Sequence, residues 1–519
     1  MSPFFQRHLS PRKIHFWILL IMLVGIFLRS VQFFAATSLW LDEVASALNI
    51  QSRNFAQLAT EKLGFNQVAP LGFLWTSKVA ALVFGENDEA YRLVAFAWSL
   101  LSLPLFYFVA KRFLTSFYLL SAVALFSFSY SAFLYAAQAK QYSGDLAVSL
   151  FLIWALLRIE EGPLNNYLKW AMSIIGFIGI LSCFQSLPML LFNAIILFLI
   201  FRKERKPFEV KNYVPVIIAW SAAALILTWF VLSFNTGVKT DMATYWSRGF
   251  PPAGNAIDYV LWFPQKIFNE FNFFLAWFMA DLLVAVRAVG MLLIIFSVPG
   301  LIYLSHKTGL KTILLYAPLI TALALAIAHQ YPFSNRVAFY ATFPIIISGM
   351  AGLQFLNKWK PKIFRPVVTV TLSLLLAFIP IAHMIPVSLL RPPYLGQPMQ
   401  PVIRELKKQM QPGDIVYVYH KASYAMKFYG PKEGLKDYIV AKSDTTVVPI
   451  LRDADKLIGN KRVWFVFTQW TPAQPFPDSI KTYLGTVIGK EIGKISDPFG
   501  GKEDLESAAH LYDLSMPEK

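Results

Sequence analysis

Apolar runs long enough to cross a bilayer, separated by short basic clusters, recur through the first 390 residues, and they exclude a fold whose only solvent is water. A span needs about 20 apolar residues to cross roughly 30 Å of hydrocarbon. The predicted spans, with boundaries good to a few residues, are 14–34, 93–110, 117–134, 145–159, 168–184, 187–201, 214–234, 287–305, 312–329, 337–356 and 366–388. Composition agrees: the 519 residues are 56% hydrophobic and 15% charged, with 46 Phe and 14 Trp. The net charge of +17 would suggest nucleic acid in a soluble protein. Here Lys and Arg gather between apolar runs, which is a topology signal and excludes a nucleic-acid patch. The single cysteine, Cys183, lies inside an apolar run, ruling out an internal disulfide framework and a Cys-based metal site. Arg7, Arg12 and Lys13 before the first run resemble a signal peptide. That run is long and ends at Arg29 without a clear cleavage site, so a retained anchor is expected.

The segment 70–84 decides the topology. It is apolar but short, contains Lys78, and is followed by Glu86, Asp88 and Glu89. If it crosses, Lys111 and Arg112 fall on the far side from the basic N-terminus. If it lies in the interface, every basic cluster shares one side: the N-terminus, Lys111-Arg112, Arg158 to Lys169, Arg202 to Lys211, Lys307-Lys311 and Lys358 to Arg365. The positive-inside rule selects the second arrangement, with about 11 spans, a cytoplasmic N-terminus and the C-terminus outside. Segments 35–92, 135–144, 235–286 and about 330–336 then share the outer face, where chemistry is expected.

After Arg391 the chain changes character, with Pro392-Pro393 and Gly396 as a linker. Pro401 to Met410 reads as an amphipathic helix, and Ile415 to Tyr419, Arg462 to Thr468 and Ala508 to Leu514 as strands. The expected fold class is therefore an α-helical polytopic membrane protein with a small α/β C-terminal soluble domain, divided as 1–390 and 391–519. The second domain has no nucleophile elbow, phosphate loop or metal-ligand cluster, and an accessory or acceptor-handling role fits it better than catalysis.

Four polar constellations fall on the outer segments. Trp40-Leu41-Asp42-Glu43 places adjacent carboxylates at the membrane surface, where partial desolvation suits a general base. A helix start explains the same pattern, since acidic residues favour a helix N-terminus. Gln138 to Asp145 brings Lys140, Tyr142 and Asp145 to the mouth of two spans. A snorkelling lysine and a helix cap are the structural alternatives. Gln330 to Arg336 holds Tyr331, a chain-breaking Pro332, and Arg336 on the side otherwise poor in basic residues. The fork of an arginine suits a phosphate. Tyr245 to Pro252 presents Trp246 and Arg248 on a Pro- and Gly-shaped loop, suited to a sugar or lipid headgroup, although interfacial aromatic belts look similar.

Together these residues resemble the membrane glycosyltransferases of the GT-C fold, especially bacterial relatives of the protein O-mannosyltransferases and of the aminoarabinose transferase acting on lipid A. The resemblance rests on Asp42-Glu43 after Trp40, on Pro70-Leu71, Phe84-Gly85 and Arg92, on Lys140 to Asp145, and on Tyr331-Pro332-Phe333 with Arg336. It covers roughly residues 14–356. One departure is at Gln67-Val68-Ala69, where the lipid A enzymes carry a Lys before the Pro-Leu step. Lys140 or Lys62 are the substitutes.

The resemblance implies inverting transfer of a hexosyl or pentosyl group from a polyprenyl-phosphate donor to a hydroxyl of a lipid, glycan or protein. It implies Asp42 as general base, Glu43 and Asp145 orienting the acceptor, Arg336 and Lys140 on the donor phosphate, and Gln67, Tyr142, Tyr331, Trp246 and Arg248 as substrate contacts. A divalent cation, magnesium or manganese, on Asp42 and Asp145 is left open, since oxygen ligands suit these ions. The alternative class is a lipid or glycolipid transporter or flippase. It commonly shows repeated halves and paired broken helices, neither of which is evident here. A non-catalytic scaffold is a third class. No Asn-x-Ser/Thr site occurs, which leans toward a bacterial inner membrane with a periplasmic C-terminal domain.

Overall fold

The computed structural model describes residues 11–35, 38–205, 208–234, 245–275, 283–359, 365–389, 398–442, 447–468, 476–496 and 507–515. The chain forms two compact units, one of residues 1–35 and 53–393, the other of residues 36–52 and 394–519.

The first unit is helical. Among the described residues, seven helices are long and apolar enough to cross a membrane: Lys13–Phe34, Asp88–Ala110, Tyr142–Glu160, Ser186–Glu204, Val214–Phe234, Val284–Thr308 and Phe339–Asn357. Helices Ser116–Ser127 and Tyr130–Ala137, bent by 49° at a short break, pass the same test as a pair. The other predicted spans fall on the shorter apolar helices Asn166–Leu181, Lys311–Ile327 and Val368–Ile379. Helix Leu71–Phe84, at 14 residues, rises only about 21 Å, short of the hydrocarbon thickness.

Side-chain contacts show which helix ends lie together. His15, at the start of the first helix, meets Tyr107 at the end of Asp88–Ala110, ring centroids 6.4 Å apart. The start of the first helix, with Lys13, and Lys111-Arg112 therefore share one end of the bundle, as an interfacial 70–84 requires. Arg112 pairs with Glu161, Lys311 Nζ lies 2.9 Å from Glu160, and Lys307 Nζ donates to the Phe113 carbonyl at 3.3 Å. The next basic clusters thus gather at that same end. Toward the other end, the buried Arg29 donates to the Ser99 carbonyl at 2.6 Å, pinning the first span to the Asp88–Ala110 helix.

Small residues allow the closest helix pair. Between Leu283–Thr308 and Pro344–Trp359, a Cβ on Gly300 or Gly352 would collide with the backbone of the other helix, at Ser348 or Phe296. In lipid, where no hydrophobic force drives helices together, such close backbone packing is a main source of association.

The second unit is built on a five-stranded mixed sheet: β1 Ile415–Val418, β2 Ile439–Val440, β3 Val463–Phe467, β4 Lys490–Ser496 and β5 Ala508–Asp513, in the order β2-β1-β3-β5-β4. β1 runs parallel to β2 and β3, whereas β5 is antiparallel to β3 and β4. β3 is buried along its whole length, as its run of Val, Trp and Phe demands. The helix expected at Pro401 to Met410 spans Met399–Gln409 and buries Met399, Val402, Ile403 and Leu406, one face at helical spacing.

Residues 36–52, the beginning of the segment 35–92, belong to this second unit. Helix Leu41–Ser52 packs on Ser423–Tyr429; the Leu39 N–H donates to the buried Tyr429 hydroxyl at 2.6 Å, and the Gln400 N–H to Ser38 Oγ at 3.4 Å. The unit is therefore discontinuous in sequence, and it carries Asp42 and Glu43.

Its sheet is fastened by Asp414, whose oxygens accept from Arg462 at 2.7 and 3.2 Å, Trp464 Nε1 at 2.8 Å and the Gln411 N–H at 3.1 Å. Burial opposes ionisation, but these donors together hold the Asp414 carboxyl below the usual carboxylate range. Its stabilisation is thus present above the ordinary aspartate value of about 4 and is lost as pH falls through the lowered folded-state value. Asp414→Asn is expected to cost this unit about 2 kcal/mol near neutral pH. Limited proteolysis of the detergent-solubilised full chain checks this: cleavage within 398–515 should accelerate in the variant at pH 7 and converge with the parent in acid.

Candidate functional site

The site in the helical unit is assembled from four chain breaks at the end opposite the basic clusters. The first precedes helix Leu71–Phe84. Phe65 and Asn66 both adopt left-handed backbone, with φ of 60° and 51°. Each costs on the order of 1–2 kcal/mol for an L-residue, so the surrounding fold must enforce the turn. The turn delivers Gln67, whose Oε1 accepts from Lys140 Nζ at 2.5 Å. Lys140 is 5% exposed.

The second break leads into helix Tyr142–Glu160, whose polar start is buried: Tyr142, Ser143 and Asp145 are at most 5% exposed. Ser143 Oγ donates to the Tyr135 carbonyl at 2.7 Å, and the Tyr142 ring packs edge-on against Tyr135 at 5.1 Å. Asp145 takes the Cys183 thiol as a hydrogen-bond partner. Cys183 stands at the third break, between Asn166–Leu181 and Ser186–Glu204, followed by Gln185.

The fourth is the loop between Lys311–Ile327 and the last long spans. Tyr331 hydrogen-bonds Gln185 and lies within electrostatic reach of Asp145 and Tyr142. Burial, then the nearby Asp145 charge, pushes the Tyr331 hydroxyl well above its ordinary value, so it stays a neutral donor. Five residues on, the Arg336 guanidinium lies 5.5 Å from the Trp246 ring centroid and 6.0 Å from that of Tyr142. The Phe333 N–H donates to the Gly249 carbonyl at 2.8 Å, tying this loop to the Trp246 turn.

The structure therefore joins Arg336, Tyr142 and Trp246 in one cluster, Lys140 with Gln67 in a second, and Asp145 with Tyr331 through Cys183 and Gln185. Arg248 is exposed on the Trp246 turn. In the other unit, Asp42 and Glu43 open helix Leu41–Ser52, and Glu43, 0% exposed, accepts the Trp40 N–H at 3.1 Å. Glu43 is thus a helix cap.

Sequence reasoning missed Cys183 and Gln185, which the structure sets beside Asp145 and Tyr331. The gap between the predicted spans 168–184 and 187–201 was the available signal for Gln185. Among the described residues no three His, Cys, Asp or Glu side chains gather as they would around a metal ion, and Asp145 has a thiol as its neighbour.

Comparison with known proteins places this geometry. Residues 68–234 match the sequence model of the family described as Dolichyl-phosphate-mannose-protein mannosyltransferase. No curated protein sequence matches the chain. Among solved structures, ArnT from Cupriavidus metallidurans bound to undecaprenyl phosphate superposes with a TM-score of 0.53 at 11% identity, covering 95% of this chain and 98% of that one. The fold is that of the GT-C membrane glycosyltransferases. The apo form of the same ArnT gives a TM-score of 0.51 at 11% identity, over 95% and 97% of the two chains. The apo oligosaccharyltransferase of Archaeoglobus fulgidus gives 0.46 at 11% identity, over 87% of this chain and 70% of that one. The GT-C resemblance read from the sequence is borne out at the level of the fold, and the family match begins one residue after Gln67.

Proposed function

We propose that this protein is a glycosyltransferase that moves a hexosyl or pentosyl group from a polyprenyl-phosphate donor to an acceptor hydroxyl of a lipid, glycan or protein, with inversion. The observation that carries this reading is the Arg336 guanidinium set between Tyr142 and Trp246 at the non-basic end of a GT-C helical unit. A planar, permanently charged fork flanked by aromatic faces matches a lipid phosphate carrying a sugar: the fork binds the oxygens, and the rings contact the apolar faces of the sugar or isoprenoid. The Lys140 ammonium, held by Gln67, adds a second cation at the same end. Undecaprenyl phosphate bound to the ArnT neighbour supports a donor of this class.

In the reaction, Asp42 accepts the proton of the acceptor hydroxyl while that oxygen attacks the anomeric carbon. The bond from that carbon to the phosphate oxygen breaks, and its electron pair leaves with polyprenyl phosphate. A phosphate leaving group requires charge stabilisation more than protonation, and Arg336 and Lys140 supply it. Tyr331, kept neutral, and Asp145 orient hydroxyls of the substrate. No step is routed through a metal. The face of action follows from positive-inside topology: with the basic ends cytoplasmic, the site lies on the outer side of a bacterial inner membrane.

Mass spectrometry of lipids and glycans from cells with and without the gene tests the reading. Loss of one glycosylated product with accumulation of its unmodified acceptor is expected. An intact glycolipid stranded on one side of the membrane, with no bond cleaved, would identify a transporter instead.

A further inference from the structure

Helix Ala256–Leu275 contributes a carboxylate that the transfer chemistry does not use. Glu270 is 1% exposed. One of its oxygens lies 2.9 Å from Lys266 Nζ, one turn earlier, and the other accepts the backbone N–H of Asn335. The same Lys266 ammonium donates to Ser334 Oγ at 3.2 Å. Ser334 and Asn335 directly precede Arg336. Asn335 has left-handed backbone, φ 44°, a conformation that a short polar residue tolerates but that needs holding. With Phe333 bound to the Gly249 carbonyl, three consecutive residues before Arg336 are tethered, two of them to one ion pair whose carboxylate is buried. Burial pushes the Glu270 carboxyl above its ordinary range, while Lys266 and the Asn335 N–H draw it back. A carboxylate so enclosed is costly to retain unless its contacts serve something.

The geometry points to Glu270, seated on Lys266, as a positioning residue that fixes the Arg336 guanidinium between Trp246 and Tyr142 so that its fork meets the donor phosphate. This rests on the proposed donor-binding reading. Glu270 touches neither phosphate nor sugar; it sets the backbone from which Arg336 reaches them. Removing the tether lets Arg336 sample other rotamers and loop conformations, and the fraction poised for phosphate falls, which weakens binding by that fraction.

Two measurements on the full chain in detergent test it. The first is a double-mutant cycle on the affinity for undecaprenyl phosphate. Glu270→Gln is expected to weaken binding about tenfold in the native background, a coupling within the range seen for contacting networks. In the Arg336→Ala background the same substitution is expected to change affinity less than about twofold. Equal weakening in both backgrounds overturns the proposal, because the carboxylate then acts on the fold and not through Arg336. The second is the rate of maleimide labelling of Arg336→Cys, with native Cys183 buried and silent. Adding Glu270→Gln is expected to raise that rate several-fold, and an unchanged rate overturns the positioning role whatever the ligand. Should Arg336→Ala leave lipid affinity intact, the donor-binding reading fails, while labelling still decides whether Glu270 orders the loop.

Discussion

Asp42→Asn is expected to lower the rate of sugar transfer by about 10²–10⁴-fold, the usual contribution of a positioned general base, and to leave membrane insertion and affinity for polyprenyl phosphate unchanged. The amide matches the carboxylate in shape but cannot accept a proton at neutral pH. The local structure should survive, because the group that caps helix Leu41–Ser52 is the neighbouring Glu43, bonded to the Trp40 N–H. The anchors of the preceding residues, Tyr429 on Leu39 and Gln400 on Ser38, do not involve the Asp42 carboxylate. Single-turnover transfer from a radiolabelled polyprenyl-phosphate sugar, alongside binding of undecaprenyl phosphate, separates chemistry from binding. Full turnover in the variant ends the general-base assignment. Lost turnover together with lost lipid binding makes Asp42 a structural residue instead.

Arg336→Ala is expected to reduce both donor affinity and turnover, with kcat/KM falling about 10²–10³-fold, the scale of removing a preorganised charge-stabilising group. The loss has two parts. The phosphate loses a bidentate, charge-assisted partner, and Tyr142 and Trp246 lose the cation held 6.0 and 5.5 Å from their rings. Arg336→Lys separates them. A lysine restores charge but not the fork or the stacking, so it should recover only part of the activity. Donor affinity unchanged in Arg336→Ala would remove the phosphate role and leave a snorkelling arginine, the alternative that the sequence also allowed. Lys140 then becomes the remaining cation for the leaving group, reaching it from beside Gln67.

The helical unit was legible because bilayer thickness imposes a length that any sequence must meet. Runs such as 214–234 and 287–305 appear as the helices Val214–Phe234 and Leu283–Thr308 within a few residues. Segment 70–84 was read as interfacial from its shortness and the placing of the basic clusters, and the His15 contact with Tyr107 agrees with that reading. In the second unit, β1, β3 and β5 were visible as hydrophobic runs. β4 was not: Lys490–Ser496 lies at the edge of the sheet, exposes all of its charged residues and is interrupted by a bulge between Glu491 and Gly493. β2, with two residues, is held in place by its parallel pairing with β1 and has no pattern of its own.

The sequence by itself determined the membrane-spanning character of the helical unit, the approximate helices, the spacing of the basic clusters between them, and the residue types available to the candidate site. Those are local or compositional properties, set by hydropathy, length and charge. Only the tertiary structure decided which polar groups meet. Lys140 reaches Gln67 across 73 positions, Glu270 reaches Asn335 across 65, and Tyr429 reaches Leu39 across 390. Such pairs leave no periodicity, because each is selected by the three-dimensional packing that buries it and by the cost of leaving a buried donor or charge without its partner.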